Sequence, residues 1–375
     1  MLKINQHILD NNKWDARLLK AENPQLALLF GSRFTLEQSE NSLVQFQEMY
    51  PDASIISISG AGNILDDSII DNTIVANSIE FEHTKIQISH TDFKNRDELE
   101  VADSLMANID QENLKSLLLY SCSGINLERV IQRLNSKLNH SIPISGGAAG
   151  DDMRFEKTII GIGSDLSTER IVLIGFYGDK IHTQYGLHSG MDPFGPKRKI
   201  TKCLGNIVFE IDHQPALDLY KDYLGEKASE LPASALHFPL NISSNGKEKP
   251  IVRSVQTVDE KTGSLVLFGE VQEGMTVQLM KTYQDNVIVG GGKSAMLATN
   301  RFDGEAFALI VSCVGRRIVL GPLTEEELTE AKEVLGPNTI MSGFYSYSEL
   351  SPCSENGRCL LHNQTITITT FFESA

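Results

Sequence analysis

The chain has 375 residues, 41% apolar and 22% charged, a length above the usual limit of one hydrophobic core and a composition that predicts a two-domain globular protein. Its 33 basic and 49 acidic residues leave a net charge of −16, a field that repels nucleic-acid phosphates and anionic lipid headgroups and excludes both as partners. No apolar run reaches the roughly 18 residues of a bilayer-spanning helix, and MLKINQHILDNNKWDARLLK at the start has no apolar secretory stretch, so a cytoplasmic location is expected.

From Leu26, LALLFGS predicts a short strand, and Phe34, Leu36, Leu43, Phe46 and Met49 recur at helical spacing up to Pro51. ASIISISG, IVANSIEF and TKIQISH predict further strands, and DELEVADSLMAN a helix. LKSLLLYS at 114–121 reads as a strand buried on both faces. It leads through CSG into the helix NLERVIQRLNSKLN, which Asn126 can cap and whose stripe runs through Leu127, Val130, Ile131, Leu134 and Leu138. This alternation predicts a largely parallel α/β sheet, with ligands expected beyond the carboxyl ends of its strands. KTIIGIG, RIVLIGFYG and KIHTQYG then predict antiparallel hairpins, and HSGMDPFGPKRK, with two prolines and two glycines in 188–199, a structured loop. A second mixed region follows, with strands near 251–256, 264–268, 276–281 and 307–313, helices near 283–299 and 324–335, and a last strand in HNQTITITTFF. The expected class is α/β, α+β in part, with helices packed on mixed sheets in two domains, 1–195 and 196–375. No repeat of fixed period is visible.

GGGKS at 290–294 lacks the glycine a phosphate-binding loop needs five positions earlier, where Val287 stands, so these glycines predict close helix packing. Cys122 follows a strand and precedes a helix, a place that favours a thiolate, or simply holds a small turn residue. SGGAAGDD at 145–152 reads as a ligand-lining or structural loop. Five cysteines at irregular spacing form no disulfide framework. Cys353, Cys359 and His362 fall within ten residues and are metal-ligand types, although one cysteine under a loop and one hydrogen-bonded histidine would give the same pattern. His188, with Phe194 and the Lys197-Arg198-Lys199 cluster behind it, supplies an axial ligand, an apolar wall and cations for haem propionates, or else a polar loop with a solvated basic end.

Taken together, SGGAAGDDMRFEKTIIG, GMDPFGPKRKITKCLGNIVFEIDHQPALDLYKDYLG, FALIVSCVGRRIVLG and SGFYSYSELSP with LHNQTITITTF resemble the FIST domain in its N-terminal and C-terminal parts. The resemblance implies an intracellular sensory module that binds a small ligand such as an amino acid and acts on a signalling enzyme. DPFGP and the segment around LHNQT are similar to a bacterial subset of haem-binding nitric-oxide sensors linked to histidine kinases and cyclic-di-GMP enzymes. Gly190-Met191 and Tyr347-Ser348-Glu349 depart from the pattern of that subset. No kinase, cyclase or DNA-binding motif is visible, so the signal is expected to leave by protein contact, and a homodimer is one assembly consistent with this.

Alternation along GFYSYSEL places Tyr345, Tyr347 and Glu349 on one strand face, where they are expected to bind a polar ligand. Haem is expected on His188 or, second, His362, with Arg198 near a propionate. The metal-ligand candidates are His188, Cys353, Cys359 and His362. The rival reading is a thiol-dependent acyl transferase or hydrolase using Cys122 or Cys313.

Overall fold

A computed structural model describes residues 1–138, 142–244, 250–299, 305–352 and 357–374. The chain forms three successive units of one design. The first contains β1 (Lys3–Asp10), β2 (Lys13–Leu18), β3 (Leu26–Gly31), α1 (Arg33–Gln38), α2 (Glu40–Met49), β4 (Ser54–Ser59), β5 (Asn63–Leu65), β6 (Ser68–Ile70) and β7 (Ile74–Glu80). The second contains β8 (Lys85–Asp92), α3 (Glu98–Ala107), β9 (Leu114–Ser121), α4 (Leu127–Lys137), β10 (Ile144–Ala148), β11 (Ile160–Ile162), β12 (Asp165–Ser167) and β13 (Arg170–Tyr177). The third opens with β14 (Ile181–His188) and is interrupted by an insert of β15 (Met191–Leu204), β16 (Ile207–Ile211), β17 (Gln214–Pro215), α5 (Ala216–Leu224), β18 (Leu240–Ser243), β19 (Ile251–Arg253), β20 (Val255–Asp259), β21 (Ser264–Leu267) and β22 (Thr276–Thr282). It resumes with α6 (Gln284–Ala298), β23 (Ala306–Cys313), α7 (Val314–Leu320), α8 (Thr324–Leu335), β24 (Thr339–Ser346), β25 (Ser348–Pro352), β26 (Cys359–His362) and β27 (Ile366–Glu373).

Each unit contributes one parallel pair joined by helical crossovers: β3 with β4, β9 with β10, and β23 with β24. An antiparallel strand, β7, β13 or β27, flanks the first member of each pair, and β1, β8 or β14 lies outside it. The second member of each pair is flanked by a hairpin that comes from another unit. β5 and β6 leave unit one for the sheet of unit three, β25 and β26 leave unit three for that of unit two, and β11 and β12 leave unit two for that of unit one. The exchange therefore closes on itself. At the crossing point the Ala61, Gly150 and Tyr347 amides donate to the Tyr345, Ser59 and Ala148 carbonyls at 2.8, 2.8 and 3.2 Å, each across a unit boundary.

The main core lies where the three sheets face one another. Phe30 of unit one and Tyr120 of unit two both meet Phe344 of unit three, with ring centroids 5.3 and 6.1 Å apart, and all three side chains are fully buried. The insert has its own core, in which Ile200, Val208, Leu217, Tyr220, Leu265 and Leu267 pack α5 on its eight-stranded sheet.

Several sequence-based expectations are corrected by this arrangement. The sheets are not largely parallel, since each core sheet holds a single parallel pair. The segments at 157–186 form no succession of hairpins, because β11, β13 and β14 enter three different sheets. Residues 191–199 belong to a strand, not a loop. That stretch of β15 pairs only with β22, leaving one edge where prolines cost no ladder bond, and the register slips between Phe194 and Arg198 around Gly195 and Pro196. Gly290, Gly291 and Gly292 pack inside α6 as expected: a Cβ on Gly291 would stand 2.1 Å from the Glu327 carbonyl oxygen. No helix among the described residues is long and apolar enough to cross a membrane.

Candidate functional site

A cleft of about 480 Å³ opens beyond the carboxyl ends of β9 and β10, bounded by Cys122–Glu128 and Ala148. Its position follows from topology: parallel strands end together and their connections diverge, leaving a crevice. Gly124, at φ +104°, turns the chain from β9 toward α4, and the Asn126 side chain accepts from the Arg129 amide to cap that helix. The insert supplies a second wall through Gly205, Asn206, Gln256 and Leu267–Glu270, and the strand exchange supplies a third through Tyr347 and Ser348.

The polar groups of the cleft are held in a chain. Arg253, almost wholly buried, donates to Glu128 at 2.7 Å, and Glu128 also accepts from the Glu270 amide at 2.6 Å. The Glu270 carboxylate accepts from the Asn126 side-chain amide at 2.9 Å. Arg253 thus neutralises Glu128, whereas Glu270 forms no ion pair among the described residues and leaves the cleft one uncompensated negative charge. Opposite, Phe155 stacks on Tyr347 with centroids 4.4 Å apart and planes 14° from parallel. The Tyr347 hydroxyl donates to Asp151, which is fully buried and also accepts from the Phe155, Glu156 and Lys157 amides, each at 2.8 Å. Burial and the Asp151 carboxylate push the Tyr347 phenol up, so it stays protonated as a donor.

Cys122 lines the cleft but is 2% exposed, and burial pushes its thiol up to about 12 despite the neighbouring helix. Among the described residues no histidine lines the cleft to serve as its base. Iodoacetamide at neutral pH is expected to modify Cys122 far more slowly than an exposed thiol, read by peptide mass spectrometry. Rapid stoichiometric labelling would contradict this burial.

Among the residues expected to form the ligand face, Tyr347 alone lines the cleft. The chain changes sheets at Tyr347, between β24 and β25, and this breaks the alternation that would align Tyr345, Tyr347 and Glu349. Tyr345 is buried and donates to Glu327 at 2.9 Å. Glu349 is buried and accepts from Ser346 and Thr365 hydroxyls, each at 2.8 Å. His362 is the cross-strand neighbour of Glu349 and lies 3.3 Å from the Ser351 carbonyl oxygen. Arg198 pairs with Asp212 at 2.9 Å and contacts the Tyr223 hydroxyl on the insert. Cys359 is buried on β26, Cys313 is buried at the end of β23, and Cys353 lies outside the described residues.

These positions do not fit a haem held by His188 or His362. His188 ends the edge strand β14, accepts from the Gly190 amide through Nδ1 at 2.9 Å, and lies near the charges of Lys293 and Arg316. His362 is enclosed in protein, and neither ring lines the cleft. Among the described residues no three His, Cys, Asp or Glu side chains converge as a metal site.

The FIST N domain matches residues 25–214 and the FIST C domain residues 216–352. The chain belongs to the FIST family. FIST domains are associated with sensory signal transduction. An uncharacterized protein of Methanocaldococcus jannaschii is 28% identical over 187 residues, covering 46% of this chain, which spans 35% of the length of that curated relative. Among solved structures, the cyanuric acid hydrolase from A. caulinodans aligns over 100% of both chains at 8% identity and a TM-score of 0.36, a likeness too slight to bear on activity. Within this FIST protein the cleft joins both matched regions: Cys122–Glu128, Phe155 and Asn206 come from the N domain, and Gln256, Glu270 and Tyr347 from the C domain. Sequence reading did not single out Glu270 or Phe155. The one available signal was an aromatic side chain between the charged Arg154 and Glu156.

Proposed function

We propose that this FIST protein is a non-catalytic sensor whose cleft holds a small dipolar molecule, of which an amino acid is the simplest case. The observation that carries the reading is the pairing of unlike groups across one cleft. The Leu127 and Glu128 amides at the start of α4, an 11-residue helix whose Arg129 amide Asn126 caps, suit a carboxylate, and the unneutralised Glu270 suits an ammonium group. The Phe155–Tyr347 stack offers a face to an apolar side chain. Because the insert forms one wall and the three-unit core the others, occupancy favours one placement of the insert, and a partner histidine kinase or cyclic-di-GMP enzyme reads that placement.

The test is a thermal-shift screen of the twenty amino acids, repeated on Glu270→Gln. At least one is expected to raise the melting temperature of the parent, with affinity reduced about tenfold or more in the variant and the unliganded melting temperature unchanged. An equal response from parent and variant would contradict the role of Glu270.

A further inference from the structure

The threefold design assigns each unit a position equivalent to the cleft, past its parallel pair and under the linker that arrives from another unit. In unit two that linker is Tyr347–Ser348. In unit three the corresponding space beside Ala61 and Gly62 is taken by Arg317, which donates to the Ala61 carbonyl at 2.6 Å and pairs with Asp71. In unit one the position is open: a cavity of about 530 Å³ lies beyond β3, bounded by the first residues of the crossover and by Asp152–Arg154 of the arriving linker.

Its chemistry differs from that of the cleft. Two carboxylates, Asp71 and Asp152, stand against two guanidinium groups, Arg154 and Arg317, so the formal charges cancel. Arg317 is committed to Asp71, and Arg154 lies 4.6 Å above the ring of Phe34, which holds it at the wall. The exposed side chains of Asn12, Gln38 and Asn72 and the half-buried Asp152 line the cavity with polar groups that make no hydrogen bond to another described residue. Burial and the Asp71 carboxylate raise the Asp152 carboxyl above the ordinary range, while Arg154 and Arg317 pull it back.

We propose that this cavity is a second binding site, for a small uncharged polyhydroxy molecule of monosaccharide size. Amide, carboxylate and guanidinium groups each present paired donors or acceptors that match adjacent hydroxyls, and a cavity without net charge gives no preference to an ion. Its volume falls in the range of small-molecule sites.

The experiment is isothermal titration calorimetry of D-ribose, D-glucose and myo-inositol into the full chain and into Asp152→Asn, Gln38→Ala and Glu270→Gln. Asparagine tolerates the left-handed backbone at position 152, φ +57°, so that variant retains the fold. At least one probe is expected to bind one-to-one, about tenfold or more weakly in Asp152→Asn, more weakly in Gln38→Ala, and unchanged in Glu270→Gln. Saturable binding by none of the three would overturn the proposal. So would equal binding to the parent and to Asp152→Asn, or loss of binding in Glu270→Gln, which would move the site to the cleft. Loss of the amino-acid response in Glu270→Gln with sugar binding retained separates the two sites.

Discussion

Glu327→Ala is expected to cost about 3–5 kcal/mol of folding stability, the range for stranding one member of a buried ion pair. Glu327 and Arg316 are both fully buried and pair at 2.8 Å. The Glu327 carboxylate also accepts from the Tyr345 hydroxyl at 2.9 Å and the Ser312 hydroxyl at 3.1 Å. Arg316 in turn donates to the carbonyls of Val287 and Ser189, the second at the entry to the insert. The pair therefore ties α8, α7, β24 and α6 to the point where the insert leaves the core. Removing the carboxylate leaves a guanidinium without a counter-charge in a site that water does not reach. Tyr345→Phe removes one hydrogen bond to the same carboxylate and is expected to cost only about 1 kcal/mol. Urea unfolding of the parent and both variants measures the difference. A loss below about 1 kcal/mol for Glu327→Ala would contradict the assignment of an uncompensated buried charge.

The second large effect is a dependence of stability on pH, set by two neighbours in the β25–β26 ladder. Burial pushes the Glu349 carboxyl up to about 8, although donors on Ser346 and Thr365 pull it back toward the charged form. Burial, with the nearby Arg253 charge, pushes the His362 imidazole down to about 4. Between about pH 4.5 and 8 the folded chain keeps a proton on Glu349 that the unfolded chain has lost, so this group makes stability fall as pH rises. Between about 6.5 and 4 the unfolded chain takes up a proton on His362 that the folded chain refuses, so stability falls as pH drops. The two slopes oppose each other below pH 6.5, and only the Glu349 slope remains above it. A decline of about 2 kcal/mol between pH 6.5 and 8 is expected, at roughly 1.4 kcal/mol per pH unit and per proton. Glu349→Gln is expected to abolish that decline and to leave a loss of stability below pH 6.5, to which His362 contributes together with His7, His188 and His237, whose imidazoles burial also lowers. Urea titrations across this range check both statements, and parallel profiles for parent and variant would contradict them.

The local elements of this fold were legible because local forces specify them. Leu114–Ser121 is buried on both sides and forms a strand, and Asn126 caps the helix whose stripe it precedes. Pairing was not legible. β5 is three residues long and joins β24, some 280 positions away, because its hairpin leaves its own unit. The three strand ends ISISGA, SGGAAG and SGFYSY occupy equivalent places in the exchange but have no position in common across all three, so no period is visible. For the site, the turn after β9 and the Asp151–Asp152 segment were recognisable, since glycines beside polar side chains mark places where backbone approaches a ligand. Glu270 was not, because an acidic residue in a loop looks like any solvated charge until Arg253 is seen to pair with Glu128 and leave Glu270 without an ion pair among the described residues. His188 and His362 drew a metal reading from residue chemistry, and that reading depended on a convergence that the sheets do not provide among the described residues.

The central claim is that the cleft between β9, β10 and the insert is the ligand site, and hydrogen–deuterium exchange with and without the best amino acid from the thermal screen tests it most directly. The account predicts slower exchange in three separate segments at once, Cys122–Glu128, Leu267–Glu270 and the linker at Tyr347–Ser348. Saturating ligand that slows exchange elsewhere while leaving all three segments unchanged would contradict it.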